Sequence, residues 1–271
     1  MNSHPLLVIK IGGDLLESGA TLEATAASIA ATQRAGYRVV VVHGGGSEIA
    51  RWAKALGLTE HKVDGLRVTD AQTAEVALAV LAGTQGKSLA AALGRQGCEA
   101  ISMCGADAGL LTARVAREGA LGFVGEVHEV HTGLIMDLLE QGRTPLIAPM
   151  APLAEGHGPL HNINADAAAG PIAVALGADA LLFLTDVEGV LDGQGERIGQ
   201  LDAEGVAALM AEGVLGAGIV PKVHAALEAV EALPSAHVRI ARAPRGGASL
   251  HTLLENQEGT LLCTQEALAH D

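Results

Sequence analysis

The chain has few aromatic and few basic side chains. Its 271 residues include one tryptophan, one tyrosine and two phenylalanines, and 17 Lys and Arg stand against 31 Asp and Glu, for a formal net charge of −14 at pH 7. Nucleic-acid surfaces rely on stacked rings and basic patches, so this composition disfavours nucleic acid as a partner. The composition is 49% hydrophobic, which predicts a substantial and mainly aliphatic core.

Clustered cysteines and long apolar runs are also missing. Cys98, Cys104 and Cys263 are not clustered and lack metal-ligand spacing, which favours free thiols in a reducing compartment over disulfides or a metal cage. The first residues, MNSHPLLVIKIGG, show no basic leader before a long apolar segment, and charges or glycines interrupt the later apolar windows. We therefore expect a soluble, cytoplasmic protein without a membrane partner.

Apolar runs ending in glycine alternate with Ala/Leu-rich segments of helical period. This pattern predicts an α/β fold with a mainly parallel sheet covered on both faces. Helices are predicted over 22–34 with Thr21 as N-cap, over 71–82 and 87–96, and over 165–176 before Gly177. A new βα set after Gly177 places a boundary between an N-terminal lobe, 1–177, and a C-terminal lobe, 178–271, of one continuous domain.

Two glycine loops follow buried strands, at Gly12-Gly13 and at Gly44-Gly45-Gly46. The second does not match the dinucleotide-binding GxGxxG, because Ile49 occupies the third glycine position. A third glycine segment, GTQGKS at 83–88, does not match a P-loop: Leu81 replaces the first glycine, and a helix is predicted before it. Two loops with free amides at strand ends indicate that two anionic groups are bound. A tight turn would be enough to explain either loop alone, but is a less good explanation of both.

Charged and polar residues near these loops suggest phosphate chemistry. Lys10 lies inside an apolar strand two residues before Gly12, where a lysine is costly without an anionic partner. Asn162, Asn164 and Asp166 begin the helix over 165–176; capping explains one of them, but not all three. Lys222 opens a later helix, and its functional interpretation depends on Lys10.

In combination, several motifs resemble the amino acid kinase family over nearly the whole chain and in the right order. They are KIGG at 10–13, HGGGSEI at 43–49, DGLRVTD at 64–70, NINADAAAG at 162–170, LTDVEGVLD at 184–192 and GIVPKVHAALEA at 218–229. The resemblance implies an αβα sandwich. It also implies MgATP-dependent phosphorylation of the side-chain carboxylate of N-acetyl-L-glutamate, with the acetylated amino acid in the first lobe and ATP in the last.

The resemblance also implies a role for each matching residue. Lys10 would contact the transferred phosphoryl group, Lys222 would neutralise charge developing toward ADP, and Asp166 would hold both lysines. The implied substrate-binding residues are Gly45, Gly46, Arg67, Asn162 and Asn164. The implied ATP-binding residues are Gly12, Gly13, Asp186, Val187, Glu188, Gly189, Val190, Leu191, Val214, Leu215 and Gly216.

This assignment suits the reaction, because a carboxylate attacking a triphosphate is already ionised and needs positive charge and positioning rather than a general base. The glycines would let backbone amides approach the phosphoryl oxygens. No protein metal site is expected: Mg²⁺ should be held mainly by phosphates, and His157 and His161, in one polar loop, should be solvated.

Two alternatives stay open. A kinase of carrier-protein-linked aminoadipate or glutamate would share the glycine loops and both lysines, although Asn162 favours the free acetylated amino acid. A non-catalytic nucleotide or amino-acid sensor is disfavoured by the intact Lys10, Asp166 and Lys222. We expect a homodimer rather than an arginine-inhibited hexamer, since few residues precede Leu6.

Overall fold

The computed structural model describes residues 4–17, 19–59, 61–63, 66–216 and 218–265, without the side chains of 61–63, 66–67 and 245. The strands are β1 Leu6–Ile11, β2 Arg38–His43, β3 His61–Val63, β4 Leu66–Val68, β5 Ala100–Cys104, β6 Leu111–Val115, β7 Val124–Val130, β8 Thr144–Ala148, β9 Met150–Ala151, β10 His161–Ile163, β11 Ala180–Thr185, β12 Gln200–Leu201, β13 His237–Arg242 and β14 Thr260–Leu262. The helices are α1 Gly19–Arg34, α2 Gly46–Ala55, α3 Ala71–Leu78, α4 Gly86–Arg95, α5 Gly133–Glu140, α6 Ala165–Leu176, α7 Ala203–Ala211, α8 Val220–Ala232 and α9 Thr252–Glu255.

An eight-stranded sheet forms the middle layer, in the order β12-β14-β13-β11-β1-β2-β8-β5. Every neighbouring pair in it is parallel except β13 and β14. Smaller sheets, β6-β7-β10-β9 and β3-β4, lie outside it. The sheet and the helices on its two faces confirm the predicted α/β sandwich.

Alternate residues of β1 enter the cores on opposite faces of the sheet. Leu6 and Val8 join a core shared with α5, α6 and α8, whereas Leu7 and Ile9 join one shared with α1, α4 and α9. Because side chains alternate along a strand, Lys10 follows Leu6 and Val8 toward α6 and α8. The aliphatic sequence of β1 thereby aims a single ammonium group at two helices.

Two helix predictions were wrong at their boundaries. The helix predicted over 22–34 begins at Gly19, so Thr21 lies in its first turn and is not the N-cap; the first turn tolerates glycine because its N–H groups need no intrahelical partner. The helices predicted over 71–82 and 87–96 are one continuous helix, in which a π segment, Ala79–Gln85, joins α3 to α4. By contrast, α6 has its predicted bounds and ends at the left-handed Gly177.

The long helix reaches the length of a membrane span, but Gly83, Gly86 and Lys87 interrupt its apolar run, as expected from the sequence. Among the described residues, Ala71–Arg95 is long and apolar enough to cross a membrane, with a mean hydropathy of 1.4 over its best window. Half of that window is buried inside the molecule, as expected for a core helix of a soluble protein.

Candidate functional site

The two glycine loops touch each other at the carboxyl end of β1 and β2. A Cβ added to Gly13 would lie 2.9 Å from the Cα of Gly45, and one added to Gly45 would lie 2.9 Å from a methyl group of Leu81 in the π segment. The contact at Gly13 is with backbone and leaves no room for a side chain, whereas a side chain at Gly45 would have to displace Leu81. A Cβ at Gly46, in contrast, would meet no described atom within 4 Å. Gly13 is therefore required by backbone packing, Gly45 is packed against the π segment, and Gly46 faces open space.

Lys10, Asp166 and Lys222 meet beside these loops. The Nζ atoms of Lys10 and Lys222 each lie 2.8 Å from Oδ1 of Asp166. All three side chains are buried, with residue exposures of 6%, 9% and 6%. One carboxylate oxygen thus fixes two ammonium groups that are 212 residues apart in the sequence, since 222 − 10 = 212.

Each member of this trio is placed by a different element. Lys10 comes from β1, Asp166 from the first turn of α6, and Lys222 from the first turn of α8. The Asn164 side chain caps α6 by accepting a hydrogen bond of 2.8 Å from the Asp166 backbone N–H. This cap fixes the backbone from which the Asp166 carboxylate projects.

The electrostatics of the trio favour an anionic ligand. Burial lowers the pKa of Lys10 to about 8, with Asp166 opposing this shift and Lys222 adding to it. Burial alone would raise the pKa of Asp166, but the two ammonium groups hold it below its ordinary value. Two cations on one carboxylate leave one buried positive charge uncompensated, and such a charge gains most from an anion brought into the cleft.

The adjoining cleft brings together most of the predicted substrate and phosphate residues. It has a volume of about 480 Å³. The predicted residues that line it are Lys10, Gly13, Gly45, Gly46, Asn162, Asn164 and Asp166. Gly12 lies one residue outside this lining, and the side chain of Arg67 lies outside the described residues, so its predicted contact with substrate remains untested.

The predicted nucleotide segments do not line this cleft. Residues 186–191 follow β11, and residues 214–216 precede α8. Gly193, two residues after the first segment, lies near the second: a Cβ added to Gly193 would be 3.7 Å from a methyl group of Val214. The first segment follows β11, which pairs with the strand of Lys10, and the second precedes the helix of Lys222; a role in ATP binding remains a prediction.

Two side chains from other parts of the chain, Thr260 and Arg242, hold the 186–191 segment in place, and no pattern in the sequence indicated either. The Thr260 hydroxyl accepts a hydrogen bond of 2.8 Å from the Val190 N–H. Arg242 donates to the Asp186 carbonyl at 2.9 Å and to the Glu188 carboxylate at 3.2 Å. Both contacts cross more than 50 residues of sequence, so local patterns could not reveal them.

The structure settles two further expectations from sequence. The GTQGKS segment lies in the π turn and α4, which confirms that it is not a P-loop. The expectation that His161 is solvated was wrong: it is 5% exposed, lies on β10, and packs against Phe123 with ring centroids 5.4 Å apart. Burial lowers its pKa, so His161 is a neutral core residue.

The fold and this site define a class of protein. The sequence profile of the amino acid kinase family matches residues 5–241, so the chain belongs to that family. It is 40% identical over 242 residues to the acetylglutamate kinase of Campylobacter curvus (strain 525.92), covering 89% of this chain and 85% of that protein. It is 41% identical over 269 residues to the acetylglutamate kinase of Acidiphilium cryptum (strain JF-5), covering 94% and 89%.

A solved structure of lower identity shares the fold. Carbamate kinase from Giardia lamblia bound to AMP-PNP superposes with a TM-score of 0.70 at 18% identity, covering 98% of this chain and all of that chain.

Proposed function

We infer that this chain transfers the γ-phosphoryl group of ATP to the side-chain carboxylate of N-acetyl-L-glutamate, giving N-acetyl-L-glutamyl 5-phosphate in arginine biosynthesis. The near full-length similarity to acetylglutamate kinases supports this activity. The observation that carries it is the placement of Lys10 and Lys222 on one oxygen of Asp166, beside two touching glycine loops. The site places two ammonium groups where the phosphates and the substrate carboxylate, all negatively charged, would meet.

The reaction needs this charge because two anions must approach each other. The substrate carboxylate is ionised near pH 7, so it attacks the γ-phosphorus without a general base. The bond to the β,γ-bridging oxygen breaks as the new oxygen–phosphorus bond forms. The protein contributes orientation and stabilisation of the charge on the moving phosphoryl group.

We assign the two lysines to opposite sides of that phosphoryl group. Lys10 would contact its oxygens, and Lys222 would neutralise the charge that develops on the departing ADP. Asp166 would be a positioning residue, holding both ammonium groups at 2.8 Å. Because this arrangement exists before ligands bind, little reorganisation is needed during the reaction.

Backbone and amide groups would complete the site. The amides of Gly45 and Gly46 would face the substrate and the phosphoryl group, and Gly12 and Gly13 would cradle the ATP phosphates. Asn162, Asn164 and Arg67 would bind the acetylated amino acid. Residues 186–191 and 214–216 would hold the base and ribose.

The positive charge of Lys10 and Lys222 makes the site better suited to phosphates than to a bare metal ion. No group of three or more His, Cys, Asp or Glu side chains in the described chain could hold a metal, and Asp166 is already engaged with two lysines. We propose that Mg²⁺ enters with ATP, held mainly by its phosphates, and supplies further neutralisation of their charge.

We also propose a cytoplasmic homodimer with an N-terminal substrate lobe and a C-terminal ATP lobe. The resemblance of the motifs to the family supports this assembly. Light scattering of the purified chain measures its mass directly, and a monomer or a hexamer would contradict the dimer.

Coupled measurement of ADP release tests the activity. We expect turnover with N-acetyl-L-glutamate and much less with glutamate, aspartate or carbamate. A Lys54→Met variant, which removes an exposed lysine of α2, should match the wild type. Preferential turnover of another acid would overturn the substrate assignment, and ATP binding without turnover of any acid would favour a sensor.

A further inference from the structure

A groove on the C-terminal part of the sheet holds a buried arginine that lacks an acidic partner. Arg239, on β13, is only 5% exposed and lines a groove of about 480 Å³ beside β12, β14 and α9. Its Nε atom is buried without a hydrogen-bond partner in the described part of the chain. Arg197 lines the same groove.

The two guanidinium groups are held close together by one turn. Arg239 donates from Nη1 to the Glu258 carbonyl at 3.1 Å, and Arg197 donates to the Gly259 carbonyl next to it. Burial lowers the pKa of Arg239, and the nearby charge of Arg197 lowers it further. Carbonyl dipoles position both groups but neutralise neither.

Neither arginine has a counterion among the described residues, where no Asp or Glu carboxylate oxygen lies within 4.0 Å of their guanidinium nitrogens. This is unusual, because acidic residues outnumber basic ones 31 to 17 in this chain. An unpaired buried charge is costly, and two neighbouring guanidinium groups are well suited to bind oxyanions through paired N–H donors. Asn256 and Gln257 add polar side chains to the rim of the groove.

We propose that this groove is a binding site for a small oxyanion, with phosphate or carboxylate oxygens, held between Arg239 and Arg197. The site is separate from the candidate catalytic cleft: none of the residues lining the groove lines the cleft that contains Lys10. It lies nearer the amino end of β13, whereas the cleft is at the carboxyl end of β1. The proposal does not depend on the substrate of the cleft.

Thermal unfolding of the full chain in inorganic phosphate, compared with NaCl of equal ionic strength, tests this site. At phosphate concentrations near 100 times the dissociation constant, we expect the wild-type Tm to rise by roughly 5 °C. Arg197→Gln and Arg239→Gln should lose most of that rise. Arg114→Gln, which removes an exposed arginine of β6, provides the same charge change as a control and should keep it.

Phosphate could also bind the lysines of the candidate catalytic cleft. Comparing the variants distinguishes binding in the groove from binding in that cleft, because the substitutions change only the groove. Arg197 is exposed, so its variant should fold even if Arg239→Gln does not. A Tm rise with citrate but not phosphate would identify a carboxylate ligand for the same site. An equal rise in wild type and Arg197→Gln, or no rise with either anion, would overturn the proposal.

Discussion

The Asp166 carboxylate separates two ammonium groups that would otherwise repel each other in a buried site. Asp166→Asn keeps the shape of the side chain but removes its charge, which leaves Lys10 and Lys222 without a counterion. Breaking a buried ion pair in this way commonly costs about 3–5 kcal/mol. We expect a lower urea midpoint, with part of the loss restored by ATP because its phosphates replace the missing charge. Equal midpoints for Asp166→Asn and wild type would contradict this account of the trio.

The two lysines should act mainly on the transition state. Removal of one such charge typically lowers the rate on the order of 10²-fold or more. We therefore expect Lys10→Met and Lys222→Met to lose kcat far more than they raise either KM, in the ADP-release assay. Lys54→Met is the control. A variant with unchanged kcat and a large rise in KM would instead assign that lysine to ground-state binding.

The lowered pKa of Lys10 predicts a loss of activity in mild alkali. In the free protein Lys10 has a pKa of about 8, so its charge is present below that pH and is lost as the pH rises through it. The value of kcat/KM for ATP, which reports the free enzyme, should fall across this range. The fall in kcat should occur at a higher pH than the fall in kcat/KM, because bound phosphates raise the pKa of Lys10. A kcat/KM that stays constant to about pH 9.5 would contradict this prediction.

At the scale of elements, the π segment supports the glycine loop. Leu81 and Gln85 of that segment pack against Gly45, at 2.9 and 3.3 Å from an added Cβ. The segment is followed by Gly86, where an added Cβ would overlap the Ser102 hydroxyl and lie 3.1 Å from the Leu81 carbonyl. The position of the Gly44-Gly45-Gly46 loop thus depends on a helix whose sequence suggested a break.

Two alanine substitutions in this helix separate packing from helix propensity. Gly86→Ala should destabilise the protein by about 1–3 kcal/mol through overpacking and lower kcat by moving Gly45. Gly83→Ala, where an added Cβ meets no described atom within 4 Å, should be neutral or stabilise by up to about 1 kcal/mol. Urea unfolding measures both. If the two variants behave alike, Gly86 is not required for close packing.

The features that could be predicted from the sequence were those encoded by residues close together in the chain. The strand β1, the bounds of α6 and the unusual Lys10 followed from apolar runs, a glycine stop and a misplaced charge. The continuous helix through Gly83 and Gly86 did not, because Gly86 serves close approach to Ser102 rather than a turn. The contacts of Thr260 and Arg242 with the 186–191 segment depend on sheet order, which no short motif encodes.

At the scale of the whole molecule, the two proposed lobes share one sheet. The pairing of β1 with β11 extends over five residues, from Leu7 with Ala180 to Ile11 with Leu184, and it joins the segments before and after Gly177. Lys10 lies within this junction, beside Phe183. The trio therefore forms only when both lobes are folded and the central strands are paired.

This shared sheet predicts that the chain unfolds as one cooperative unit. A lobe that unfolded alone would expose the edge of β1 or β11 and the residues buried there, so an intermediate should be poorly populated. Urea transitions followed by far-ultraviolet circular dichroism and by Trp52 fluorescence should coincide, because Trp52 lies in the first lobe while helices occur in both. ATP should move both transitions to higher urea together, since it would bind only the folded state. A fluorescence transition clearly separated from the circular dichroism transition would show instead that the lobes are independent.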